Sequence, residues 1–166
     1  MPSFVTAPNT KAIGEAIVSS LTSLKYSDGV TPVYQLAQLE EIKDVTDLVA
    51  DDGACVEVYG NQDDSQRRGF GGRIWDPQTW YILSMVSLDT PAKAAKIYDV
   101  RDALVQPFQQ HATLGAQVLN LFHAQLKEGS GRFFKIFRNG QWLRSHITEL
   151  ETRQEWTVPI PPGVIS

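Results

Sequence analysis

From Arg73 to Leu88 the chain is apolar on both of its alternating faces, with Trp80, Ile82, Val86 and Leu88 on one and Tyr81, Leu83 and Met85 on the other. A strand of that kind has to be covered on both sides, so it belongs in the middle of a sheet. This run constrains the fold more than any other stretch, because every neighbouring element must either pair with it or pack across it.

Two segments have the spacing of covering helices. Thr10 can cap a helix beginning at Lys11, whose Ile13, Ile17, Leu21 and Leu24 fall on one stripe and which should stop near Tyr26-Ser27-Asp28-Gly29. Asp89-Thr90-Pro91 is a second start, with a polar cap and proline in the first turn. Ala94, Ile97, Tyr98, Arg101, Leu104, Val105 and Phe108 then predict one face of a helix ending near Gln109.

Strands are predicted around Val33 to Leu36, from Gly53 to Tyr59, from Gln117 to Leu126, from Phe133 to Phe137 and from Trp142 onward. Asn139-Gly140 is a hairpin turn, since a type I′ turn needs positive φ at both central residues. Glu40 to Leu48 reads as an irregular helical turn, and Gly60 to Gly72 as a long flexible hairpin loop. Leu150, Thr152, Gln154, Trp156 and Val158 alternate with Glu149, Glu151, Arg153, Glu155 and Thr157, as in a half-exposed terminal strand. The proline-rich residues 159–166 read as an extended arm.

This order lacks the regular alternation of a doubly wound parallel sheet. It predicts an α+β fold: a mixed or antiparallel sheet with two helices packed on one face, a long hairpin loop and an extended C-terminal arm. A chain of 166 residues with 42% hydrophobic content is expected to form one domain, with a core at about 10–158 and a tail at 159–166.

Composition excludes several functions. The net charge of −4 and pI near 5.3 give no long-range attraction for phosphate backbones, so sequence-specific nucleic-acid binding is not expected. Met1-Pro2-Ser3-Phe4-Val5 has no basic segment ahead of an apolar one, and no window has the apolar length of a membrane span, so neither secretion nor membrane insertion is expected. The lone Cys55 rules out an internal disulfide and reads as a buried thiol.

No phosphate-loop or dinucleotide fingerprint is present. His111, His123 and His146 have no ligand-type spacing, and the Asp51-Asp52 and Asp63-Asp64 pairs read as solvated turns. No catalytic, cofactor or metal site is expected, and the chain is not expected to be an enzyme. The local basic cluster Arg67-Arg68-Gly69-Phe70-Gly71-Gly72-Arg73 reads as a mobile glycine-rich loop, as a protein-protein arm with the Arg and aromatic content of interface anchors, or as a local DNA contact with the composition of flexible nucleic-acid binders.

The opening helix Ala12 to Leu21, the central strand Trp80 to Leu88, the helix holding Ile97-Tyr98-Asp99-Val100-Arg101-Asp102-Ala103-Leu104 and the closing hairpin and strand resemble, in layout, the tail-terminator (tail-completion) proteins of tailed bacteriophages. The resemblance spans most of the chain. It implies a structural virion subunit of the tail or neck, made in the host cytoplasm, that closes into a ring, a homohexamer, on the head-proximal end of the tail tube. Such a ring ends tube polymerisation and joins the head connector or stopper protein, and DNA passes through its lumen.

In that setting Arg67, Arg68, Phe70 and Arg73 are the candidate contacts to the tube or a neighbour, and Trp156, Val158 and Ile160 those to an adjacent subunit. Another neck component, a connector or stopper subunit, is the nearest alternative. A small α+β ligand-binding domain or enzyme is the alternative from another class.

Overall fold

The computed structural model describes residues 10–45, 53–60, 67–108, 123–127 and 129–157. In chain order the elements are α1 (Thr10–Thr22), β1 (Leu36–Leu39), β2 (Ala54–Gly60), β3 (Arg67–Arg68), β4 (Arg73–Ser87), α2 (Pro91–Val105), β5 (His123–Leu126), β6 (Arg132–Arg138) and β7 (Gln141–Thr157). They form the expected α+β architecture around one mixed sheet. Its main path is β1-β2-β4-β7-β5, with β3 also against β4 and β6 also against β7. Among the described strands only the β1 to β2 pairing is parallel.

The central strand is where its two apolar faces require it to be. β4 pairs with β2 from Gly60↔Trp80 to Ala54↔Val86 and with β7 from Arg73↔Thr157 to Ser87↔Leu143. Both helices cover the same face of the sheet. Ile13, Ile17 and Leu21 from α1, with Ile97, Val100 and Leu104 from α2, pack onto Val56, Val58, Trp80, Ile82, Val86 and Leu150. Fully burying each such side chain contributes about 1.5–3 kcal/mol. A smaller cluster of Ile42, Val45, Cys55, Leu83, Met85 and Leu143 occupies the other face.

Helix α2 starts as the sequence requires. Thr90 is its N-cap and accepts a hydrogen bond from the Lys93 backbone N–H, with proline in the first turn. A 3-10 turn over Gln106–Phe108 continues it. Its buried face, however, is Ile97, Val100, Ala103 and Leu104, and Tyr98 and Arg101 lie at the surface. The buried face is therefore rotated by about one residue from the expected stripe, since long amphipathic side chains satisfy a helical period without being buried.

Helix α1 ends earlier than expected, at Thr22. There the Thr22 and Ser23 hydroxyls donate back to the carbonyls of Val18 and Ser19, bonds that compete with continuing the helix. The Asp28 carboxylate then accepts from the Val30 and Thr31 amides. Val33 donates its N–H to the Leu24 carbonyl, so the strand expected at Val33 to Leu36 begins only at Leu36. Residues 40–45 form no helical turn; they run irregularly with Ile42 and Val45 buried.

The region expected as a loop up to Gly72 contains a short strand: Arg67 and Arg68 pair with Trp75 and Ile74. A 3-10 turn over Phe70–Gly72, with Gly71 and Gly72 at positive φ, closes that hairpin. The terminal strand is an interior one, β7 having β4 on one side and β6 and β5 on the other. Of the strand expected at Gln117 to Leu126, His123–Leu126 is present as β5, and residues 117–122 lie outside the described residues, as does the arm at 159–166.

Candidate functional site

The sequence-derived contact residues converge on one end of the sheet. β2 stops pairing at Trp80, so beyond that point β4 and β7 continue as a ribbon with β3 on one side and β5 on the other. Arg67 and Arg68 lie on β3, Phe70 in the following turn, Arg73 at the start of β4, and Trp156 opposite Ile74 near the end of β7. Two groups far apart in sequence thus share one tip of the fold. Val158 and Ile160 lie outside the described residues.

The root of this ribbon is polar inside. The Gln78 amide donates to Thr10 Oγ1 at 3.0 Å and to Asp76 Oδ2 at 3.2 Å, and Trp80 Nε1 donates to Thr152 Oγ1 at 3.1 Å. Buried side-chain hydrogen bonds of this kind fix orientation, since a broken one leaves a desolvated polar group. The ribbon is therefore held at a set angle to the first turn of α1.

At the opposite end of β7 a second surface appears that the sequence did not single out. Asn139 and Gly140 take φ of 49° and 76°, giving the expected tight turn between β6 and β7. Behind it Phe137 and Trp142 face each other with ring centroids 5.3 Å apart, each 57% exposed. Farther along, Phe133 stacks at a tilt on Tyr98 of α2 (5.1 Å) and on His146 (4.7 Å), and the Arg144 guanidinium lies 5.8 Å from its centroid. The available signal was charge: between Ser130 and Thr148 lie Arg132, Lys135, Arg138 and Arg144 and no acidic residue.

Two titratable side chains of β2, Cys55 and Glu57, are fully buried in the sheet. Burial, followed by the nearby Glu57 charge, pushes the Cys55 thiol up to about 12, so it stays protonated and unreactive. Glu57, fully buried, accepts from the Arg138 guanidinium, from the Ile42 N–H at 2.5 Å and from the Tyr59 hydroxyl at 2.7 Å. The hydrogen bond to Glu57 raises the Arg138 pKa above the ordinary arginine range. Asn139 completes the clasp, accepting from the Val45 N–H and donating to the Lys43 carbonyl.

A cleft of 550 Å³ lies between α2 and the β6–β7 hairpin, lined by Tyr98, Arg101, Lys127, Phe133 and His146 among others. Burial, then the Arg101 charge, lowers the His146 pKa from the ordinary 6.5 to about 4, so the imidazole is neutral at pH 7. Among the described residues its buried Nδ1 has no hydrogen-bond partner. As pH falls the unfolded chain binds this proton first, so stability is lost between pH 6.5 and about 4 and is unaffected above that window, by up to about 3 kcal/mol. Urea unfolding of wild type and His146→Gln at pH 7.5 and 4.5 checks this. Equal pH slopes in the two proteins would refute it.

His123 lies on β5, whereas His111 and the Asp51-Asp52 and Asp63-Asp64 pairs lie outside the described residues. Among the described residues no group of three His, Cys, Asp or Glu side chains is placed to hold a metal ion, and no helix is long and apolar enough to cross a membrane. Compared with known families and with curated proteins, the chain matches no family model and no curated sequence.

Proposed function

We propose that this chain is a non-catalytic, ring-forming assembly subunit that caps the head-proximal end of a phage tail tube, ends its polymerisation and offers the surface to which the head side joins. The observation that carries the reading is the separation of two candidate contact regions at the two ends of β7. One is the Arg67, Arg68, Phe70, Arg73 and Trp156 tip; the other is the exposed Phe137 and Trp142 hairpin. Seventeen strand residues at roughly 3.3 Å each separate them by on the order of 50 Å. A cap set between a tube and a connector needs that separation, because it meets one partner on each side. The layout resemblance to tail-terminator proteins supplies the identity of those partners, and another neck component would share the requirement.

The test is electron microscopy of the purified chain mixed with tail tubes of its own phage. Six-fold caps at one tube end are expected, with growth of capped tubes arrested. Arg67→Ala, Arg68→Ala and Phe70→Ala combined should leave the fold intact and abolish capping. Bare tube ends at saturating protein, or rings on connectors alone, would overturn the tail-terminator reading.

A ligand-binding role is the second reading, favoured by the unpaired His146 Nδ1 in the cleft beside Tyr98 and Phe133. A monomer whose thermal stability rises with a small heteroaromatic ligand, and whose rise is lost in His146→Leu, would favour it.

A further inference from the structure

The two outer edges of the sheet differ in a way that the end surfaces do not explain. β1 is the last strand on one side, and β6 pairs only with β7 on the other. Among the described residues nothing pairs with either outer edge. An open edge presents a row of backbone N–H and C=O groups to any strand that approaches.

The edges carry opposite charge. On β6, Arg132 and Lys135 are exposed, and no described acidic side chain forms an ion pair with them. The chain leaving β1 continues as Glu40 and Glu41, also exposed and also without an ion-pair partner among the described residues. Exposed positive side chains thus line the β6 edge, and exposed negative ones stand where the chain leaves β1.

We infer that the occupant of the β6 edge is a second copy of this chain, presenting its β1 edge, so that the sheet continues from subunit to subunit. The alternatives built from the same parts are penalised. Two β6 edges in contact would oppose Arg132 and Lys135 to their own copies, and two β1 edges would do the same with Glu40 and Glu41. Like-charge juxtaposition of this kind rejects the wrong pairing. What is left is head-to-tail contact, which closes into a ring when its rotation divides the circle. Strand addition provides backbone hydrogen bonds for affinity, and the flanking charges set which strand is accepted. This rests on the ring reading above and names the lateral contact within it.

The register across each subunit supplies the probe. Gln38, Glu57, Leu83, Ile147 and Arg132 lie in one row across the sheet, so Gln38 and Arg132 sit at opposite edges on the same face. Cys55 is fully buried and its thiol protonated, so the native chain has no reactive thiol. With Gln38→Cys and Arg132→Cys in one full-length chain, a short bismaleimide added to assembled protein should give a covalent ladder ending at the ring size. Each single variant should give only monomer on a denaturing gel.

Charge reversal at one edge, Arg132→Glu with Lys135→Glu, should raise the concentration at which assembly is half complete by roughly tenfold or more. Mixing that protein with Glu40→Lys, Glu41→Lys chains should restore a heterodimer. Added salt should weaken wild-type assembly. Rings that form with no ladder, or that ignore both reversals, would overturn the edge contact and leave the ring reading standing. Cross-linked dimers from a single variant would overturn head-to-tail pairing. A chain monomeric at all concentrations, with and without tubes, would end both.

Discussion

Glu57→Ala is expected to lower the unfolding free energy by about 3–5 kcal/mol. The carboxylate is fully buried and is the common acceptor for Arg138, Ile42 and Tyr59. Removing it leaves a largely buried guanidinium uncompensated and a backbone N–H and a phenol without their acceptor. The damage should also be local in a recognisable way, because residues 40–45 reach the sheet through Ile42 and through Asn139. Amide exchange at Ile42 and Val45 should therefore accelerate well beyond that of the β4–β7 ladder. Combining Glu57→Ala with Arg138→Leu should recover part of the loss, since the second change removes the stranded charge. Equilibrium denaturation of the single and double variants measures both effects. A single-variant loss below about 1 kcal/mol would mean that the pair behaves as a surface ion pair.

Trp80→Ala is expected to cost about 3–5 kcal/mol by another route. Trp80 is 3% exposed, and its indole N–H donates to Thr152 on β7. Its ring occupies the space that a side chain at Gly14 of α1 would need, 3.0 Å from where a Cβ would stand. The residue therefore joins β4, β7 and α1 at the point where β2 ends. Truncation leaves a cavity beneath α1 and removes the donor to Thr152, whose hydroxyl keeps only a 3.5 Å hydrogen bond to the Gln78 carbonyl. Trp80→Phe, which loses the N–H but keeps most of the volume, should cost about a third as much, on the order of 1–1.5 kcal/mol. Thermal and urea unfolding of the two variants check the ratio, and equal losses would assign the effect to the hydrogen bond alone.

The parts of the fold that were legible in the sequence are those whose cause is local. β4 declares itself by two apolar faces, α2 by Thr90 and Pro91, and the β6–β7 turn by Asn139 and Gly140. Less legible are the parts where a backbone group finds a competing partner or a strand is defined by its neighbour. Val33 spends its N–H on Leu24 rather than on a strand, and α1 is cut short by hydroxyls that back-bond to its own carbonyls. Arg67 and Arg68 read as loop, because a two-residue strand is defined only by the strand it meets.

The contact surfaces divide in the same manner. Arg67, Arg68, Phe70 and Arg73 stood out as a basic, aromatic cluster in sequence, whereas their proximity to Trp156 needed the β4–β7 register. Phe137 and Trp142 read as ordinary strand residues. They are exposed because α2 reaches only as far along β6 as Phe133, and no single-strand pattern carries that information. The Glu57–Arg138 pair joins residues 81 positions apart, beyond the reach of any motif.

The unbroken ladder from Arg73↔Thr157 to Ser87↔Leu143 ties the two tips of the molecule together as one rigid gauge. Because side chains alternate, adding a single residue to either strand would turn one tip over relative to the other. Adding two residues to both strands would keep the faces and lengthen the gauge by roughly 7 Å. The thickness of any layer built from this subunit is thereby written into the number of rungs between β4 and β7, and related chains should change it in paired steps of two.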